Sequence, residues 1–380
     1  MMVKPHRTLE QGQISCGKEA RVSYPEWNEI RNSIFTRTRY FPMIDSDMPT
    51  FMGLPLATSP GELEGADAVI IGAPYVAGWG EYAGVGKSEW IAGPKRVRQQ
   101  SVRYATGYVQ DFDLDIFEHL KVVDYGDAAI PREANEKPTV DNILKAQAAV
   151  EEKVNHALDV GAIPIVIGQN SPCGSYAIAK PIAERIRGNV GVISLDTHWD
   201  ASPLDRLTMD PRIAGSASWK HKMYEFHPNI TPRNLVEIGE RGMLESKDIV
   251  RRYLREGAHF FPMWKVRSEL GAEGLCRELR HAYDGTAGVY AHFDMDVLGG
   301  AGPAPGDILG ELAEPLGMTD YEVIRVAFEI GKRGLSGLSF ICIPPGSAVV
   351  YRVIVYVIVY LLAGRALAMR ERLAAKGPTP

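Results

Sequence analysis

The sequence predicts an α/β fold of three layers, in which a central parallel β-sheet is flanked by helices. Short apolar runs of strand length alternate along most of the chain with longer amphipathic segments of helix length. Strands of a parallel sheet appear as continuous apolar runs because helices cover both faces of the sheet. The composition, 45% hydrophobic and 23% charged, is that of a globular protein and excludes a largely disordered chain.

The charge balance and the cysteines narrow the class of protein further. The chain has 42 Lys and Arg against 47 Asp and Glu, a net charge of -5, so we expect neither nucleic acid nor a membrane as a partner. The N-terminus lacks the apolar segment of a secretory signal. The cysteines are far apart and show no CxxC spacing, which indicates a reducing compartment: Cys16, Cys173, Cys276 and Cys342. We therefore expect a cytoplasmic protein.

The predicted strands are the apolar runs that end in glycine, proline or a polar residue. They are Ala66–Pro74, Lys121–Asp124, Ile163–Ile167, Val190–Leu195, Leu235–Ile238, Gly288–Phe293 and Gly337–Ile343.

The clearest predicted helix is Thr139–Gly161, whose apolar residues recur at helical spacing and which ends at a glycine. Further helices are predicted at Pro172–Gly188, Met243–Glu256, Ala272–Tyr283 and Thr319–Gly334. The β-branched run Val353–Leu362 favours a strand by composition. Its place after Pro344–Gly346 and the need to cover the sheet favour a buried helix, which we predict. The apolar stretch is shorter than the ~20 residues of a membrane span.

The domain organisation predicted is one domain over residues 61–375, preceded by an extension over residues 1–60. The extension is weakly periodic, and we expect it to lie on the domain surface or on a neighbouring subunit.

Two acidic clusters follow predicted strands and suggest a metal site. Asp196, His198 and Asp200 follow the apolar run Val190–Leu195, and Asp294 and Asp296 follow the run Gly288–Phe293. Ligands of open α/β sheets bind at the carboxyl ends of the strands. Carboxylates and an imidazole gathered there suit divalent ions such as Mn²⁺ or Ni²⁺, and a metal pair can produce hydroxide from water. The alternative is a hydrogen-bonded polar loop.

These clusters, in this order, resemble the metal motifs of the ureohydrolase superfamily, which includes arginase and agmatinase. Further similar segments are Ile71–Pro74, Gly93–Arg98, Val236–Gly242 and Ala304–Gly306. The resemblance implies an arginase-like fold, divalent metal ligands at Asp196, His198, Asp200, Asp294 and Asp296, and hydrolysis of a C–N bond in a guanidino compound.

The chain departs from the superfamily at one metal ligand. The segment Gly168–Pro172 lacks the metal-binding histidine that the family has there: either Asn170 replaces it, or it is deleted and Asn170 is its neighbour. The resemblance therefore implies that the site of Asp196, Asp200 and Asp294 lacks a ligand. The other site would be formed by Asp196, His198, Asp294 and Asp296. Its ligands are all present, so at most one metal is expected in this chain. Alternatively, the carboxylates pair with a basic residue such as Arg206 and bind no metal.

Two further departures affect the substrate and proton transfer. Cys342 stands where the family has a glutamate that pairs with the substrate guanidinium, and a thiol cannot form that bidentate contact. No basic partner for a cysteine nucleophile is evident, so we predict a small buried residue at 342. The family's proton-relay histidine is also missing, since the first histidine after this motif is His221.

Together the departures predict that this chain has no catalytic residues of its own and supports an active paralogous subunit. It is most similar to the non-catalytic subunit of the heteromeric metformin hydrolases of bacteria. That resemblance implies a hetero-oligomer, expected to be a hexamer, that converts metformin to guanylurea and dimethylamine with Ni²⁺ or Mn²⁺ in the active partner. The alternatives are an active agmatinase-like hydrolase with one metal and a ligand-sensing protein.

Overall fold

The computed structural model describes residues 41–76, 87–104, 106–203, 210–242, 245–299 and 314–375. Residues 1–40 of the extension expected over residues 1–60 lie outside the described residues, as do Arg206 and Ala304–Gly306; Cys16 falls within that undescribed stretch. The strands are β1 Met43–Asp45, β2 Met48–Pro49, β3 Ala68–Gly72, β4 Tyr108–Val109, β5 Leu114–Asp115, β6 Val122–Asp127, β7 Ile163–Ile167, β8 Asn189–Leu195, β9 Ile230–Ile238, β10 His259–Phe261, β11 Thr286–Asp294 and β12 Gly337–Ile341.

The helices alternate with these strands. They are α1 Lys87–Ile91, α2 Gly93–Ser101, α3 Arg132–Glu136, α4 Val140–Asp159, α5 Ala177–Arg185, α6 Trp219–Phe226, α7 Lys247–Arg255, α8 Met263–Lys265, α9 Gly271–Glu278, α10 Arg280–Tyr283, α11 Asp320–Arg333 and α12 Ala348–Ala375.

An eight-stranded sheet forms the centre of the described chain, in the order β10-β9-β8-β11-β12-β7-β3-β6. Each pairing in it is parallel. Two hydrophobic clusters cover it: the first lies against β11 and α12, and the second against α4 and α5. The predicted three-layer fold with a parallel sheet flanked by helices is confirmed.

The seven predicted strands correspond to β3, β6, β7, β8, β9, β11 and β12. The edge strand β10 was not predicted, because three residues give no period to recognise. The start of α4 agrees with the predicted helix Thr139–Gly161, and the Thr139 side chain caps it by accepting a hydrogen bond from the Asn142 amide. Thr319 and Glu322 form a capping box at the start of α11.

The apolar run near the C-terminus is a helix, as predicted, within the 28-residue helix α12. By length and composition alone Ala348–Arg372 could cross a membrane, and 56% of its most apolar window is buried in the protein. The helix packs against α11 so closely that a Cβ built on Gly331 would lie 1.9 Å from the Leu361 carbonyl oxygen. The apolar length of α12 therefore covers the sheet and α11.

Residues 41–60, which we expected in the extension, contain β1 and β2 and pack on the domain. Phe51 and Met52 are buried in the first hydrophobic cluster. The Phe51 amide donates to Asp124 Oδ2 at 2.8 Å, and the Met52 amide donates to Ser101 Oγ at 2.7 Å. This segment is thereby tied to β6 and α2.

The sheet brings three strand ends together at its carboxyl edge. In β8 and β11, Leu195 pairs with Phe293, and in β11 and β12, Asp294 pairs with Ile341. Asp196, Asp294 and Cys342 therefore leave the sheet side by side, which places the candidate site.

Candidate metal centre

The first group of possible ligands is Asp196, His198 and Asp296. One ligand atom from each lies within 4.8 Å of the other two. His198 Nδ1 is 3.1 Å from Asp296 Oδ2, and the His198 amide donates to Asp196 Oδ1 at 2.7 Å. Burial disfavours the charged imidazole, but Asp296 and Asp196 outweigh it and raise the pKa of His198 to about 10. The arrangement places an imidazole nitrogen and two carboxylates around one point.

A network of backbone groups and one arginine holds this group in place. The Thr197 amide donates to Asp296 Oδ1 at 3.1 Å, and the Asp296 amide donates to Asp294 Oδ1 at 3.0 Å. Arg241 Nη1 donates to Thr197 Oγ1 at 2.6 Å, and its Nη2 donates to the Asp296 carbonyl oxygen at 2.9 Å. Arg241 therefore joins the two acidic loops. It was not predicted as a site residue, although it lies in Val236–Gly242, one of the segments that resemble the superfamily.

A second group contains an imidazole that sequence reasoning missed. A ligand atom of His292 lies within 4.8 Å of carboxylate oxygens of Asp196 and Asp294. His292 Nδ1 is hydrogen-bonded to Ser339 Oγ at 3.0 Å, and its buried Nε2 has no hydrogen-bond partner among the described residues. Burial holds the pKa of His292 well below its usual range, so the imidazole is neutral. The signal was available: His292 stands two residues before Asp294, on the same face of β11.

A third group joins Cys342 to Asp294 and Asp296, again with ligand atoms within 4.8 Å. Cys342 is buried, as predicted, and its φ of 52° lies in the left-handed region that favours glycine. Its amide donates to the Gln169 carbonyl oxygen at 3.1 Å, which ties the end of β12 to the loop after β7. The thiol therefore lies against the acidic cluster.

Asp200 belongs to none of these groups within the described residues. Its Oδ2 accepts a hydrogen bond from Trp219 Nε1 at 3.1 Å, and its backbone has a φ of 47°. The structure therefore gathers Asp196, His198, Asp294 and Asp296, while the Asp200 carboxylate is engaged by an indole.

A buried lysine lies among the carboxylates, where the sequence had suggested Arg206. Lys220 Nζ is 3.3 Å from Asp196 Oδ2 and 3.0 Å from Glu237, and all three side chains are fully buried. Burial opposes the charge of Lys220, but Glu237 and Asp196 outweigh it and raise its pKa. Burial raises the pKa of Asp196 to about 6 and that of Glu237 to about 8, although Lys220 lowers both. Neither Lys220 nor Glu237 was predicted.

Asn170 and His221 are the residues compared above with the superfamily's metal-binding and proton-relay histidines. Asn170 is buried, and its Oδ1 accepts a hydrogen bond from the Ser171 amide at 2.7 Å. His221, the next residue after Lys220 on α6, lies 3.9 Å from Glu225 and belongs to none of the three ligand groups.

The donor set decides which part of this centre fits a divalent cation. The group of Asp196, His198 and Asp296 fits one, because imidazole and carboxylate are ligands of Mn²⁺ and Ni²⁺. A second cation does not fit beside Asp200, because the Asp200 carboxylate accepts a hydrogen bond from Trp219 and the Lys220 ammonium already pairs with Asp196. When bound, such a cation polarises water or a substrate nitrogen; the residues described here would orient the ligands and exclude solvent.

Comparison with known proteins identifies the family. The model of the arginase family matches residues 66–350. Guanidinobutyrase from Pseudomonas aeruginosa is 26% identical over 79% of this chain and 86% of its own length. Formimidoylglutamase from Halobacterium salinarum is 27% identical over 71% of this chain and 83% of its own length.

Solved structures share the fold. Formimidoylglutamase from Bacillus subtilis has a TM-score of 0.68 at 20% identity and covers 90% of this chain and 99% of its own. Formiminoglutamase from Trypanosoma cruzi, described with Mn²⁺, has a TM-score of 0.65 at 24% identity and covers 84% of this chain and 99% of its own. Because the family model matches residues 66–350, most of the chain, and the solved structures share its fold, this chain belongs to the arginase family.

Proposed function

We propose that this chain is a non-catalytic subunit of a metal-dependent guanidine or biguanide hydrolase and supports an active paralogous subunit. The observation that carries the proposal is the position of Cys342, whose sulfur lies with Asp294 and Asp296 at the acidic strand ends. A guanidinium is bound by a planar carboxylate through two parallel charge-assisted hydrogen bonds. A buried thiol offers one weak acceptor instead, so a guanidino substrate loses its anchor at this point.

The proposed substrate and assembly follow from the resemblance of the sequence to the non-catalytic subunit of bacterial metformin hydrolases. The complex hydrolyses metformin with one water to guanylurea and dimethylamine, and Ni²⁺ or Mn²⁺ is bound in the active partner. The assembly is a cytoplasmic hetero-oligomer, proposed as a hexamer, in which this chain replaces some copies of the active one. The domain is proposed to span residues 61–375, with residues 41–60 packed on it.

The test compares this chain alone, the active paralogue from the same organism alone, and the two co-expressed, by release of dimethylamine from metformin. We expect release only from the co-expressed pair. Within the pair, His198→Ala in this chain leaves turnover unchanged, whereas replacing the corresponding histidine of the paralogue abolishes it. Turnover by this chain alone, or loss of turnover in an assembled complex carrying His198→Ala, would overturn the proposal.

A second candidate function is favoured by the first ligand group. Asp196, His198 and Asp296 together fit one divalent cation, so the chain could instead be an active hydrolase of a guanidino compound with a single metal. In that case the purified chain, loaded with Mn²⁺ or Ni²⁺, releases urea from a guanidino substrate, and His198→Ala abolishes the release.

A further inference from the structure

We propose that Lys220 is a tethered cation that takes the place of one of the two metal ions on the Asp196 side of the centre. The inference goes beyond the proposed function, because it concerns what neutralises the carboxylates and holds whether or not a partner subunit exists.

The ammonium of Lys220 has an acceptor for each of its protons. Its Nζ donates to Asp196 Oδ2 at 3.3 Å, to Glu237 Oε1 at 3.0 Å and to the His198 carbonyl oxygen at 3.3 Å. An ammonium group carries three donors and no acceptor, so these contacts satisfy it completely. The cost of burying the Lys220 charge is therefore offset by a complete set of hydrogen-bond partners.

The adjacent residue on α6 engages the next carboxylate. Trp219 Nε1 donates to Asp200 Oδ2 at 3.1 Å, and the Lys220 amide donates to the Asp200 carbonyl oxygen at 3.1 Å. The first two residues of α6 thus engage the side chains of Asp196 and Asp200. These are two of the three carboxylates that the sequence resemblance assigns to the site lacking its histidine.

Lys220 Nζ lies on Asp196 Oδ2, whereas His198 Nδ1 is 3.8 Å from the other oxygen, Oδ1. The group of Asp196, His198 and Asp296 therefore keeps Oδ1 for its cation, but a divalent ion bound to Oδ2 would meet the ammonium on the same carboxylate oxygen. Like charges at that separation repel strongly in a buried site. Lys220 therefore excludes a cation from the group of Asp196, His292 and Asp294, although His292 Nε2 is buried there without a hydrogen-bond partner among the described residues. Removing the ammonium opens this group.

The test is the metal content per chain, measured by plasma mass spectrometry after dialysis against Mn²⁺. We expect at most one metal in the wild type and in Lys222→Met, whose lysine pairs with Glu225 on the same helix instead of with a site carboxylate. Lys220→Met gains one metal per chain, and the gain disappears in Lys220→Met/His292→Ala. Two metals in the wild type, or no gain in a folded Lys220→Met, would overturn the proposal.

Because Lys220→Met leaves Glu237 without its partner, Lys220→Met/Glu237→Gln provides a second route with one fewer buried charge. It too gains one metal, and a folded double variant that gains none counts against the proposal. Circular dichroism establishes that each variant is folded. Turnover of metformin does not enter this measurement, so the proposed function can fail independently.

Discussion

Arg98 and Asp124 form a bidentate ion pair in which both side chains are fully buried, with Nε–Oδ2 at 2.8 Å and Nη2–Oδ1 at 2.9 Å. Arg98 Nη1 also donates to Asp127 Oδ1 at 2.6 Å. Asp124 in turn accepts from the amides of Phe51 and Gly126. The pair therefore joins α2, β6 and the segment before β3 at the edge of the sheet.

Arg98→Met is expected to lower the free energy of unfolding by about 3–5 kcal/mol, because it leaves the Asp124 carboxylate buried without its partner. Urea unfolding measures the change. The matched control is Arg96→Met in the same helix, whose pair with Glu89 is exposed and contributes up to about 1 kcal/mol. Equal losses in the two variants would contradict the prediction.

Gly331→Ala is expected to destabilise the contact between α11 and α12 by about 1–3 kcal/mol, because the added methyl group would meet the Leu361 carbonyl oxygen at 1.9 Å. Thermal unfolding measures the loss. In Gly61→Ala the new methyl group has nothing within 4 Å, so this control keeps wild-type stability. A Gly331→Ala variant as stable as the control would show that the helices can separate without cost.

His198→Ala is expected to weaken binding of one divalent ion at least about tenfold, because it removes the imidazole of the first ligand group. Titration with Mn²⁺ followed by calorimetry gives the affinity. His221→Ala removes a histidine 3.9 Å from Glu225 on α6 and leaves the affinity unchanged. If both variants bind Mn²⁺ as the wild type does, the ion binds elsewhere.

The rings of His259 and His281 stack with centroids 3.6 Å apart, and this contact predicts a dependence of stability on pH. Burial lowers the pKa of His259, and the neighbouring His281 lowers it further. A histidine with a lowered pKa in the folded state binds a proton more readily when unfolded. Its contribution is therefore fully present above the unfolded pKa and is lost as the pH falls below about 6.5.

His259→Gln removes this contribution, so stability should fall less steeply between about pH 7.5 and pH 5.5 than in the wild type. Urea unfolding across that range provides the comparison. His156→Gln, which alters a histidine bonded to the Tyr125 hydroxyl, serves as the control. Parallel pH profiles for the wild type and His259→Gln would disprove the assignment.

The sequence by itself determined the alternation of strands and helices and the order of the acidic strand ends. Both follow from local periodicity: a buried parallel strand is a continuous apolar run, and the residue that ends it lies at the carboxyl edge of the sheet. The proximity of Asp196 to Asp294 could therefore be expected once their strands were recognised. The buried ion pair of Arg98, by contrast, was not predicted. The sequence showed Arg98 only as the last residue of Gly93–Arg98, one of the segments that resemble the superfamily.

Only the tertiary structure decided which groups surround those carboxylates. Lys220 lies in the first turn of α6, well beyond Asp196 in the chain. Glu237 lies on the neighbouring strand β9, and Trp219 reaches Asp200 across a loop. A lysine at the start of an amphipathic helix has the same local pattern whether it faces solvent or a buried carboxylate. Which of the two it faces depends on how α6 packs against the sheet, and contacts between distant segments leave no period in the sequence.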